Sequence, residues 1–200
     1  RFGKSIDYRD QSLVGDIKYL WEPSRHLHLV TLAQAYALNR EQKYLNGINV
    51  LLESWFDQCP YARGPQWSSS LELGIRLINW SVVWQLIGGL DSELFNSKSG
   101  QVFLRRWLTS IYQHSHFISR NFSRFSSANN HLIGEAAGLF IASITWPYWS
   151  RSEAFENAAK LILEKETVRQ NAKDGVNLEQ AVAYQMFVLD FLLLSKLCGE

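Results

Sequence analysis

The chain has 200 residues, 46% hydrophobic and 20% charged, with a formal net charge of +1. That length supports one domain with a sizeable core, or part of a larger protein, and the composition is that of a folded globular chain. The charge balance excludes nucleic-acid binding through a strongly basic surface, Cys59 and Cys198 form neither a disulfide framework nor a C-x-x-C metal site, and no apolar run is long enough to span a bilayer.

Residues 1–15 read as polar and irregular, and 16–22 as a short stretch leading to Pro23, which suits a first helical turn. From 23 to 38 apolar residues recur at helical spacing: Leu27, Val30, Leu32, Ala35 and Leu38. A second helix is expected over 41–56, with Tyr44, Ile48, Leu51, Leu52 and Trp55 on its apolar side. Two prolines and a glycine make 59–65 a loop. The third helix spans 68–86 and ends at Gly88-Gly89. The fourth spans 101–119, amphipathic through Phe103, Leu104, Trp107, Leu108, Ile111 and Phe117.

The fifth helix is expected from Asn130 to Ile144, capped by Ser126, Ser127 or Asn129. It is so apolar that it must be buried on most sides. The sixth spans 152–170, with Ala158, Leu161, Ile162 and Val168 inward, and Asp174-Gly175 turns the chain. The seventh and most apolar spans 176–197. About seven helices joined by modest loops, with no period-two run, indicate an all-α fold. Hairpins of this size can stack as a solenoid or close into a ring. The start at Arg1 rather than Met, and the stop straight after an apolar helix, create the expectation of segments beyond both ends.

Polar groups interrupt these apolar helix starts. Gln66, Trp67 and Ser70 lead into the third helix, where Glu72 and Arg76 are spaced to pair one turn apart. Glu22 and Arg25 open the first. Asn129, Asn130 and His131 open the fifth. Glu179 stands near the N-terminus of the seventh, where a carboxylate is favoured, with Tyr184 five residues later. If the hairpins form a ring, alternate loops fall on one rim. The cleft so formed carries amide, guanidinium, imidazole and phenol groups, with some of the eight tryptophans nearby for sugar faces. That chemistry suits a carboxylated sugar polymer.

Four pieces, in order, resemble the helical domain of the heparinase II/III-like polysaccharide lyases, a family that includes oligoalginate lyases. They are Trp21-Glu22-Pro23-Ser24-Arg25; Gln66-Trp67 with Glu72 and Arg76; Asn129-Asn130-His131 with Glu135; and Asp174-Gly175 with Glu179 and Tyr184. The resemblance covers nearly the whole chain. It implies an incomplete α/α toroid over residues 1–200, followed in the full protein by an antiparallel β-sandwich absent from this chain, and a periplasmic or extracellular location. It also implies β-elimination at C4 of a uronic acid.

By that resemblance Asn130 and His131 neutralise the uronate carboxylate as charge builds on it. Tyr184 serves as acid, and in some members also as base; a free phenol titrates near 10, so a basic role needs cationic neighbours. Arg25, Gln66, Trp67, Ser70, Glu72, Arg76, Asn129 and Glu179 are the expected substrate-binding residues. The partner is an acidic polysaccharide or oligosaccharide. No cofactor is evident in the chain, and a structural metal belongs, if anywhere, to the C-terminal domain. Many alginate-cleaving members follow the tyrosine with His-Arg; here Gln185-Met186 follows, a departure from the alginate pattern. Family members often draw a further histidine and tyrosine from the β-sandwich. Two rival readings stand beside the lyase. One is a toroid that binds acidic glycans without catalysis. The other is an α/α-toroid glycoside hydrolase, whose two carboxylic acids would be Glu72 and Glu179.

Overall fold

The computed structural model describes residues 1–124 and 128–200. Ser126 and Ser127, two of the three expected caps, lie outside the described residues. The described helices are α1 (Gln11–Val14), α2 (Lys18–Ser24), α3 (Leu27–Asn39), α4 (Gln42–Gln58), α5 (Ser70–Leu86), α6 (Lys98–Arg120), α7 (Asn130–Thr145), α8 (Ser152–Arg169) and α9 (Val182–Gly199). Short 3-10 turns lie between some of them, and the described residues contain no strand. The pairs α3–α4, α5–α6 and α7–α8 pack as hairpins. Along one layer α3, α5, α7 and α9 are successive neighbours; along the other α4 meets α6 and α6 meets α8. This two-layer arc is an incomplete α/α toroid.

The layers differ because their sequences differ. Helices α5 and α7 are buried along most of their length, Leu71, Leu73, Leu77, Trp80 and Trp84 on one and Ile133, Ala136, Leu139 and Ile141 on the other. A helix apolar on several sides must have neighbours on several sides. Helix α6 shows one buried stripe, Phe103, Trp107, Ile111 and Phe117, and serves as an outer cover. Trp67, Trp80, Trp107 and Trp146 are among the largest fully buried side chains. A large apolar side chain moved from water to such a site stabilises by roughly 1.5–3 kcal/mol.

Three sequence expectations need correction. The expected first helix is two helices. Pro23 lies inside α2, and His26 breaks the chain by taking a left-handed conformation with φ 64°. Tertiary structure holds it there: the Trp80 Nε1–H donates to His26 Nδ1 at 2.9 Å. Second, the inward faces were partly misphased. Leu27, Leu38, Leu51, Leu161 and Val168 are exposed, while Leu29, Ala33, Tyr36, Leu45, Phe155, Ala159 and Leu163 are buried. Third, α9 is 18 residues and, by length and composition, apolar enough to cross a membrane, where no span was expected. Its Val188 and Phe191 are buried in the core cluster and it carries Asp190 and Lys196, so packing against α7 accounts for part of that apolarity.

Arg76 is the polar centre of this core. Its Nε donates to the Ser24 carbonyl at 2.5 Å, and its guanidinium carbon lies 4.6 Å from the Trp55 ring centroid, a cation–π distance. His114 Nδ1–H donates to the Ser110 carbonyl at 2.7 Å, so its Nε2 is the acceptor for Arg76 Nη1 at 2.9 Å. Glu72 does not pair with Arg76 as its spacing suggested. It accepts from Arg25 instead, Nε to Oε2 at 2.8 Å and Nη2 to Oε1 at 2.9 Å. Burial lowers the Arg76 guanidinium to about 10, offset chiefly by the Glu72 charge. Burial, then the Arg76 charge, holds His114 and His26 well below the ordinary imidazole value.

Candidate active site

A carbon placed on Gly134 would meet Leu71 and Phe191, one on Gly138 would meet Gly74, and Gly199 faces the Phe140 ring. The pairings 71 with 134 and 74 with 138 make α5 and α7 parallel. The pairings 134 with 191 and 140 with 199 make α7 and α9 parallel. Three helix N-termini therefore share one end of the arc. Glu72 is in the first turn of α5, Asn130 and His131 in the first turn of α7, and Tyr184 in the first turn of α9.

Asn130 is buried and held by Glu179. Its backbone N–H donates to Oε1 at 2.9 Å, and its Nδ2 donates to Oε1 at 2.9 Å and Oε2 at 2.8 Å. Glu179 was expected inside the last helix, but α9 starts at Val182 and Glu179 belongs to the preceding loop. That loop is built to deliver it. Gly175 takes φ 87° after Asp174, Ala172 and Val176 bond across the turn at 2.8 Å, and the Glu179 N–H donates to Asn177 Oδ1 at 3.0 Å. The carboxylate thereby satisfies a free N–H and the positive end of α7 rather than of its own helix. Removing it strands the buried Asn130 donors. Glu179→Ala is expected to lose about 2 kcal/mol of stability, read by urea unfolding.

His131 is half-buried. Burial lowers its imidazole, while the Glu72 and Glu179 carboxylates pull it back up. Tyr184, in the first turn of α9, is 50% exposed. Arg25, clamped by Glu72, borders a cleft of about 530 Å³ shared with Glu22, Asn79 and Asp190.

The other expected contact residues are engaged within the protein. Asn129 is the cap of α7, its Oδ1 accepting the His131 N–H at 3.1 Å. Ser70 is buried and ties α5 to the loop after α6 through the Asn121 carbonyl at 2.7 Å. Gln66 donates to the Leu20 carbonyl at 3.2 Å. Trp67 is 1% exposed, its ring 4.5 Å from that of His114, and Arg76 is enclosed beside it. The fold therefore brings Arg25, Glu72, Asn130, His131, Glu179 and Tyr184 to one end, and builds Trp67 and Arg76 into the core beneath.

In the sequence Glu135 stands out only as part of the Asn129-Asn130-His131 piece. It lies one turn below His131, is 1% exposed, and anchors the loop after α6, accepting from the Ser123 N–H at 2.6 Å and the Ser123 hydroxyl at 2.7 Å. A lone carboxylate in so apolar a helix was the available signal. Burial pushes it up to about 7, against the opposing pull of the Ser123 donors and Lys4.

The signs of these shifts differ. His26 and His114 have folded values below the unfolded one near 6.5, so the unfolded chain takes protons the native state refuses, and stability is lost as pH falls below about 6.5. Glu135 has a raised folded value, so its contribution is present at low pH and lost as pH rises through about 7. Between about pH 4.5 and 6.5 the two effects oppose. Glu135→Gln is expected to steepen the acid loss of stability by about 1.4 kcal/mol per pH unit, the value of one proton, in urea titrations across that range.

The parallel inner helices of this incomplete α/α toroid bring amide, imidazole and paired carboxylate groups to one rim. The family model for the heparinase II/III N-terminus matches residues 1–197, and the chain belongs to that family. Among solved structures it is similar to heparan sulfate lyase HepC from Pedobacter heparinus, at 20% identity and TM-score 0.73, covering 99% of this chain and 30% of that one. A mutant of that enzyme matches at TM-score 0.74. The heparinase III BT4657 gene product matches at 20% identity and TM-score 0.67, covering 98% of this chain and 34% of that one. The chain thus spans about a third of the length of these proteins. No curated protein matches it.

Proposed function

We propose that the chain is the helical part of a polysaccharide lyase that cleaves a uronic-acid-containing glycan by β-elimination. What carries the reading is the meeting of three helix N-termini with Asn130, His131 and Tyr184 at one end. The proton at C5 of a uronate is weakly acidic, and its removal builds negative charge on the adjacent carboxylate. Donors from Asn130 and His131 stabilise that charge as it forms, which is where binding energy lowers the barrier. The Asn130 amide turns from Glu179 to the uronate, while its backbone N–H keeps Glu179 at the head of α7. The C5 proton passes to a base, the C4–O bond breaks with its electron pair on the leaving oxygen, and a C4–C5 double bond forms. Tyr184 protonates the leaving oxygen and, where it also serves as base, takes the C5 proton.

The heparan sulfate named for HepC makes sulfated glycosaminoglycans the first substrates to test. The same reading carries a following β-sandwich with room for a structural metal, and a periplasmic or extracellular location. The test is ultraviolet absorbance of an unsaturated uronate when full-length protein meets a panel of acidic glycans. Binding without unsaturated product would instead support a non-catalytic toroid. The hydrolase reading is disfavoured by geometry. Glu72 spends both oxygens on the Arg25 guanidinium, which holds it as a carboxylate rather than a proton donor.

A further inference from the structure

We propose that the cleft lined by Phe122, Arg124, Leu132 and the C-terminal half of α8 is a flanking subsite for an anionic group, sulfate or carboxylate, on a sugar next to the reacting uronate. The inference rests on the glycan reading above and names a site beyond it. The cleft encloses about 350 Å³, within the ~300–1,000 Å³ range of ligand sites. Arg124, Lys165 and Arg169 line it against one carboxylate, Glu166. Glu166 is buried and committed, accepting from Gln170 Nε2 at 3.0 Å and lying 3.4 Å from Arg169 Nη1. Among the described residues neither Arg124 nor Lys165 has a carboxylate partner. Phe122 and Leu132 supply apolar lining for the C–H face of a sugar ring, with the cations around it.

Its position ties it to the candidate active site. Leu132 directly follows His131, and α8 ends beside the start of α7, where Gln170 Nε2 reaches the Asn129 carbonyl at 3.2 Å and the Ala128 carbonyl at 3.4 Å. A saccharide lying across the head of α7 would pass from the uronate position into this cleft. Arg124 and Lys165, which have no carboxylate partner among the described residues, meet an arriving anion without breaking an ion pair, and their hydrogen bonds to it are charge-assisted.

The test is calorimetric binding of a sulfated glycosaminoglycan hexasaccharide, and of its chemically desulfated but still carboxylated counterpart, to full-length protein. The Arg124→Ala/Lys165→Ala double variant is expected to bind the sulfated probe about tenfold more weakly, and the affinity of the native protein to fall more steeply with salt than that of the variant. Loss confined to the sulfated probe assigns the cleft to sulfate; equal loss on both assigns it to any sugar oxyanion. Unchanged affinity for both probes overturns the subsite. So does an equal loss in a Lys98→Ala/Arg105→Ala control on the exposed side of α6, since bulk charge would then account for it. With turnover, the double variant should raise KM about tenfold and leave kcat within about twofold. Binding without unsaturated product would remove the lyase reading and keep the subsite; product formation with KM unchanged in the variant would remove the subsite alone.

Discussion

Tyr184→Phe is expected to reduce kcat on a cleaved glycan by about 10²- to 10⁴-fold, the contribution of a positioned proton-transfer group. The side chain is half-exposed in the first turn of α9, so removing its hydroxyl creates no cavity and leaves no buried group unpaired. Urea unfolding should therefore stay within about 0.5 kcal/mol of the native protein, the usual effect of a surface substitution, and KM should change little. A variant that cleaves at the native rate removes Tyr184 from the mechanism. Together with loss in Glu72→Gln and Glu179→Gln, that outcome would revive the two-carboxylate hydrolase. The phenol gains its importance only from position. Parallel α7 and α9 put the start of its helix at the same end as Asn130 and His131, although more than fifty residues separate them in the chain.

Gly138→Ala is expected to destabilise the protein by about 3 kcal/mol, lowering the thermal midpoint by about 10 °C for a protein of this size. A Cβ at 138 would fall 2.7 Å from the Gly74 carbonyl carbon and closer still to its Cα and oxygen, and a Cβ at Gly74 would fall 2.7 Å from the Gly134 oxygen. These are backbone atoms, so relief requires pushing α5 away from α7 along the largest buried contact of the arc. That movement also separates Glu72 from His131, so activity should fall beyond what the lost folded fraction explains. Gly47→Ala is the control. Its Cβ would meet only the end of the Leu32 side chain, 3.3 Å away, which can swing aside. A helix-interior Gly→Ala change then stabilises by roughly 0.5–1 kcal/mol. Equal effects at 47 and 138 would show that helix propensity, not interhelical distance, governs these positions.

The all-α class, the succession of helices and the start of α7 at Asn130 were legible from residue order alone. They depend on periodicity, breakers and caps, which act within a few residues. The Asn-Asn-His and Glu-x-x-x-x-Tyr pieces likewise marked the family from types and spacing. Partner choice was not legible. The i to i+4 spacing of Glu72 and Arg76 allowed a pair, yet Arg25, forty-seven residues upstream, took the carboxylate with two hydrogen bonds. Arg76 was left to a carbonyl, an imidazole and an indole face in the core. Trp67 looked available for a sugar ring until the fold closed around it. Glu179 looked like part of its own helix, but the left-handed turn at Gly175 delivers it to another. Local chain chemistry determines which segments become helices. Which of their polar ends meet, and which are sealed inside, is decided by long-range packing, because only the assembled core sets the distances between groups far apart in sequence.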